Sequence, residues 1–96
     1  MSSLQVVATV VFLPPQCGGR SSPVSSGYRG QFFYLDRDCD VVHRFEFPAG
    51  VPFGEEVADF IDFLNDSHRR NLKEGTPFLI REGLKTVAYG VVVAVN

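Results

Sequence analysis

Nucleophilic or metal chemistry in this sequence would have to come from Cys17, Cys39, His43 and His68, its only cysteines and histidines. Tetrahedral zinc takes four such ligands. Cys39-x-x-x-His43 supplies one close pair, but Cys17 and His68 lie far from it along the chain, so no metal site is expected. Two thiols without a framework of paired spacings read as reduced cysteines of a cytoplasmic protein. Asp36, Asp38 and Asp40 set three carboxylates at alternate positions, as a calcium loop does. The sixth and twelfth places of such a loop require Gly and Glu, and here they are Val41 and Phe47. The stretch Asp36–Asp40 therefore reads as a charged turn. A G-x-x-x-x-G-K-S/T phosphate loop is missing from the sequence, so no nucleotide hydrolysis is expected. With neither a nucleophile–base pair nor a ligand set, we expect no enzyme, no catalytic residue and no cofactor.

The elements that would position any remaining site are strands. Gln5–Leu13 is short and rich in β-branched residues, and both of its faces are apolar, broken only by Thr9. Pro14–Ser26 is a long loop of Pro, Gly and Ser, a length often met in functional loops. Arg29–Leu35 enters a second strand. Val41–Phe47 places Val41, His43, Phe45 and Phe47 on one face, which makes His43 a core or cross-strand histidine. In Glu55–Leu64, Val57, Phe60, Ile61 and Leu64 follow helical spacing with Asp59, Asp62 and Asn65 opposite. Asn65–Thr76 is polar and carries Arg69, Arg70 and Lys73, read as a solvated connection. Pro77–Arg81 and Thr86–Val95 close the chain as two strands. The last puts Val87, Tyr89, Val91, Val93 and Val95 on one face and Ala88, Gly90, Val92 and Ala94 on the other.

Ninety-six residues suit a single domain, 1–96, and 45% hydrophobic content with nine Phe suffices for one core. The formal net charge of −2 provides no overall field toward nucleic acid or an anionic membrane. No run approaches the ~18 apolar residues of a membrane span. The N-terminal MSSLQVVATVVFL lacks a basic region and a small-residue cleavage site, so it does not read as a signal peptide.

Two stretches are more specific than composition: Gly18–Tyr34 (GGRSSPVSSGYRGQFFY) and Phe78–Val92 (FLIREGLKTVAYGVV). Gly18-Gly19-Arg20, Pro23, Gly27-Tyr28-Arg29, Gln31-Phe32, Ile80-Arg81-Glu82-Gly83, Thr86-Val87 and Gly90-Val91-Val92 occur in that order. In these residues the chain resembles the C-terminal barrel domain of bacterial elongation factor Tu, from about Val6 to Val95. The resemblance implies an all-β fold, a single six-stranded antiparallel β-barrel, and it places a strand rather than a helix at Glu55–Leu64. We take the strand, since tertiary context overrides local propensity.

In that family the domain helps hold the T-stem of aminoacyl-tRNA, packs on a GTPase domain and meets the exchange factor, elongation factor Ts. The resemblance carries the RNA- or partner-binding positions onto Arg20, Gln31, Glu82 and Gly83. The family's His after Gly-Gly-Arg is Ser21, which completes the candidate set. Arg20 and Gln31 can donate to phosphate or ribose oxygens, and Gly83 allows close backbone approach. Departures oppose RNA: Asp40 stands where the family has Thr, beside Asp36 and Asp38, and like charge repels phosphate. Gly30 replaces a proline, and Gly83-Leu84 replaces Gly-Gly. We therefore expect a non-catalytic binding module in a translation-related setting, with a protein partner or self-association favoured over RNA, and neither membrane nor nucleotide bound. The two-sided first strand and the small-residue face of the last suggest that part of the wall is covered by that partner. The alternative is a module for the tRNA backbone.

Overall fold

The structure, a computed structural model, describes residues 4–96. It is all-β: one antiparallel sheet of seven strands. They are β1 (Gln5–Phe12), β2 (Gln31–Tyr34), β3 (Arg37–Cys39), β4 (Val41–Arg44), β5 (Glu56–Phe63), β6 (Pro77–Glu82) and β7 (Lys85–Val95). The order across the sheet is β3-β2-β6-β7-β1-β5-β4. Among the described residues, no helix is long and apolar enough to cross a membrane.

The closed six-stranded barrel expected from the sequence needs correction. The stretch read as a charged turn contains a strand, β3, and the turn itself is only Leu35–Asp36, both left-handed at φ 47° and 61°. Tyr34 pairs directly with Arg37 across it, so this is a two-residue hairpin of the I′ kind. Such turns normally announce themselves with Asn-Gly, and Leu-Asp does not. A leucine in the left-handed region carries about 1–2 kcal/mol of steric cost. Leu35 is 69% exposed and loses little packing if replaced. Leu35→Asn should accordingly stabilise the fold by about 0.5–1 kcal/mol, read as a higher thermal midpoint; a lower one would refute the strain.

Asp40 then breaks the run 37–44 into β3 and β4, which lie at opposite ends of the sheet and share no ladder. Its carbonyl accepts from Leu64 N at 3.1 Å. The sheet curls so that its two ends meet through this one residue. An isolated bridge between Tyr28 and His43 ties the approach to β2 onto β4.

Glu56–Phe63 is a strand, β5, as the resemblance implied. Period two places Val57, Asp59, Ile61 and Phe63 inward, all buried. The helical reading of the same residues set Asp59 on the solvent side.

The last strand also needs correction. Its small face points inward, with Ala88, Gly90 and Val92 buried, while Tyr89, Val91 and Val93 are exposed. The reason is space: a Cβ at Gly90 would lie 2.6 Å from Thr9 O and 2.7 Å from Phe78 Cζ. Pairing also jumps from Ile80–Ala88 to Arg81–Thr86, so Val87 is an extra residue. This bulge buries Val87 and Ala88 together and breaks the alternation counted from the sequence.

The core is built on phenylalanine. Phe32 stacks on Phe78 at 4.1 Å between ring centroids and meets Phe63 edge-on at 4.9 Å. Phe12 meets Tyr28 and Phe45 edge-on at 6.0 and 5.8 Å. The long loop after β1 is anchored to this core by buried Val24, whose carbonyl accepts from Val51 N at 2.8 Å.

Candidate functional site

Glu82, the last residue of β6, gathers two of the groups that the loop after β1 carries. Arg20 Nη1 donates to Glu82 Oε2, and its Nε donates to Ser22 O at 3.1 Å. Tyr28 Oη donates to the same Glu82 oxygen at 2.6 Å, and the Arg20 guanidinium sits 5.1 Å from the Tyr28 ring centroid. Burial pushes the Tyr28 phenol well above its usual range, and its bond to Glu82 adds to that. Burial alone would raise Glu82 as well. The bonds from Tyr28 and Arg20 outweigh it, so the carboxyl titrates below the usual range. Arg20 is raised in turn, chiefly by its bond to Glu82. At neutral pH the cluster is a cation, an anion and a protonated phenol, which suits it to pinning a loop rather than moving protons.

Of the candidate residues, Arg20 and Glu82 are in contact, and Gly83 follows at φ 64° in the two-residue turn to Lys85. A Cβ at Gly83 would meet nothing within 4 Å, so the backbone there is open to approach. Ser21 is exposed beside Arg20. Gln31 is not drawn into this cluster. It pairs with Arg81 across β2 and β6, and its Nε2 donates to Asp40 Oδ1 at 2.9 Å. Arg81 in turn donates to both oxygens of Asp38, at 3.0 and 3.2 Å, and lies 3.8 Å from the Phe33 ring centroid. Asp38 and Asp40, read from the sequence as repelling phosphate, are thus engaged by neighbours within the chain.

Sequence reasoning missed a second polar site. His43 and Asp59 are both fully buried, with Nδ1 and Oδ2 2.6 Å apart. His43 Nε2 donates to Gly30 O at 3.0 Å. Because that carbonyl can only accept, Nε2 carries a hydrogen, and one further proton is shared between Nδ1 and Oδ2. Among the described residues no side chain bonds Asp59 Oδ1, and the Arg44 backbone N–H also acts on the carboxyl. Burial raises the Asp59 carboxyl, opposed by its bond to His43. The available signal was parity: on a strand, Asp59 shares its face with Val57 and Ile61, and an inward histidine needs a partner.

Cys39 lies near His68 rather than His43, with Sγ 3.7 Å from Nδ1, and Tyr34 Oη is 3.1 Å from the same nitrogen. Burial pushes the Cys39 thiol up to about 11, which leaves it protonated and unreactive at neutral pH. Among the described residues, no three potential ligands cluster for a metal. No protein-family model matches the chain.

Proposed function

We propose that this chain is a non-catalytic binding module, a curled β-domain of the elongation factor Tu C-terminal type, which docks a protein partner in a translation-related, cytoplasmic setting. The observation that carries the reading is the apolar outer face of the sheet. Phe33, Leu79, Tyr89 and Val11 form one row across β2, β6, β7 and β1, and Pro77, Val91, Thr9 and Ala58 lie in the next. Tyr89, Val91 and Val93 are 50%, 43% and 46% exposed. Contiguous exposed apolar patches above a few hundred Å² are uncommon on monomers and often mark interaction sites.

A second reading, binding of the tRNA backbone, is favoured by one observation: Arg20 contacts Glu82, which brings the chain neighbours Ser21 and Gly83 to the same site. Against it, Arg20 and Arg81 each face a carboxylate of the same chain. Capture from a lysate of the source cells, with and without nuclease, tests the choice. We expect protein capture to survive nuclease and to be lost in Val91→Asp. Tight tRNA binding at physiological salt, weakened by Arg20→Ala and falling steeply with added salt, would overturn the protein reading in favour of RNA.

A further inference from the structure

We propose that Cys39 and His68 form a binding site for one soft monovalent metal ion, copper(I), beside the edge strand β3. The inference stands apart from the binding-module reading. Sequence spacing set Cys39 against His43, whereas the fold commits His43 to Asp59 and brings His68 to Cys39. Three groups converge on one place: Cys39 Sγ lies 3.7 Å and Tyr34 Oη 3.1 Å from His68 Nδ1. They come from β3, β2 and the 3-10 helix Asp66–Asn71. Asn65 caps that helix by accepting from Ser67 N at 2.9 Å, and the imidazole centroid rests 5.9 Å from those of Phe63 and Tyr34.

The first argument is a surplus of hydrogens. A thiol and a phenol each carry one, and a neutral imidazole nitrogen offers either a single lone pair or a single hydrogen. Nδ1 therefore satisfies Cys39 or Tyr34 and never both, although the two residues are only 2% and 3% exposed. A cation in place of the thiol hydrogen ends this competition, because sulfur, nitrogen and phenol oxygen can all present lone pairs to it. The step balances: a copper–sulfur bond replaces the S–H bond, the ion keeps its oxidation state, and the thiol proton leaves to solvent. The partly exposed His68 marks the way in and out.

The second argument is distance and charge. Bonds of about 2.3 Å to thiolate and about 2.0 Å to imidazole, spanning the observed 3.7 Å, meet at about 120°. That is the angle of a three-coordinate ion, with the Tyr34 oxygen as a weak third contact. Zinc would require four ligands, and among the described residues no third His, Cys, Asp or Glu completes a set. One thiolate neutralises a monovalent ion. A divalent ion would leave a positive charge among Phe32, which pairs with Cys39 across the strands, and Phe63, both buried. Soft thiolate ligands suit copper(I).

Anaerobic titration of Cys17→Ser with silver(I), a redox-inert probe of this ion class, and with copper(I) as its acetonitrile complex tests the site. Removing the exposed Cys17 leaves Cys39 as the only thiol. We expect one ion per chain by native mass spectrometry, one proton released per ion, and a shift of the His68 Nδ1 resonance. Adding Cys39→Ser should abolish binding. Adding His68→Ala should weaken it at least about tenfold, a loss that even the outer partners of metal ligands produce. Zinc(II) at equal concentration should not displace silver. Amide dispersion in NMR spectra confirms that each variant folds. If Cys39→Ser does not fold, His68→Ala and the His68 resonance still decide. The site is overturned if no ion binds at one equivalent, if His68→Ala binds like its parent, if the His68 resonance does not move, or if zinc displaces silver.

Discussion

His43→Ala should lower the unfolding free energy by about 3–5 kcal/mol, because it breaks a fully buried pair and takes from the surviving carboxyl its imidazole donor. The Gly30 carbonyl loses its donor as well, and the Tyr28 ring, 5.4 Å from the imidazole, loses a neighbour. Against a total of about 5–14 kcal/mol for a domain of this length, that is a large share. Denaturant unfolding at constant m-value measures it, and a loss under about 1 kcal/mol would refute the role of the pair.

Asp59 gives the same site a pH signature. Its folded pKa is raised by burial, partly offset by His43. A carboxyl raised on folding contributes stability that is complete below its unfolded pKa of about 3.9 and is lost as pH rises through the folded value. Asp59→Asn cannot ionise, yet its amide N–H can still donate to His43 Nδ1. The stability of Asp59→Asn relative to the parent should therefore increase as pH rises from about 4. Parallel stability curves for the two proteins would show that Asp59 does not titrate differently on folding.

Phe32→Ala is the second large effect. Phe32 is fully buried and touches three rings: Phe78 at 4.1 Å, Phe63 at 4.9 Å and Tyr34 at 5.6 Å between centroids. These rings come from β2, β5 and β6, strands that are not all neighbours in the sheet, so Phe32 links its two halves across the interior. Truncation of a buried Phe costs about 3–5 kcal/mol in transfer and cavity terms. Phe32→Leu, which refills most of the volume, should recover more than half of that loss. If both variants unfold at the parent's denaturant midpoint, Phe32 is not central to the core.

Much of the architecture was legible one strand at a time. Gln5–Leu13, the first four residues of Val41–Phe47 and Pro77–Arg81 announce themselves through β-branched and alternating residues, because period two is a property of the local backbone, while β4 stops at Arg44. The inward placement of His43 follows from the same counting. At Glu55–Leu64 the local pattern, taken alone, was that of an amphipathic helix. There the resemblance supplied the strand, and neighbours β1 and β4 hold it by pairing along both edges.

Other features depend on what faces what, which no local window contains. The Leu35–Asp36 turn is set by the pairing of Tyr34 with Arg37, and its first residue, Leu35, carries none of the usual turn chemistry. The bulge at Val87 shifts the alternation of β7, and the crowding of Thr9, Val10 and Phe78 around Gly90 decides which face is inside. Arg20 and Glu82 stand 62 residues apart in the chain, and His43 and Asp59 stand 16 apart on neighbouring strands. From the sequence alone, these were two arginine-and-carboxylate positions on a suspected surface and an acid on a presumed solvent face. The curling of the sheet turned the first pair into a loop clasp. Strand parity turned the second into a buried proton-sharing pair, because only the folded register, with Ile61 opposite His43, brings an inward aspartate diagonally across from an inward histidine.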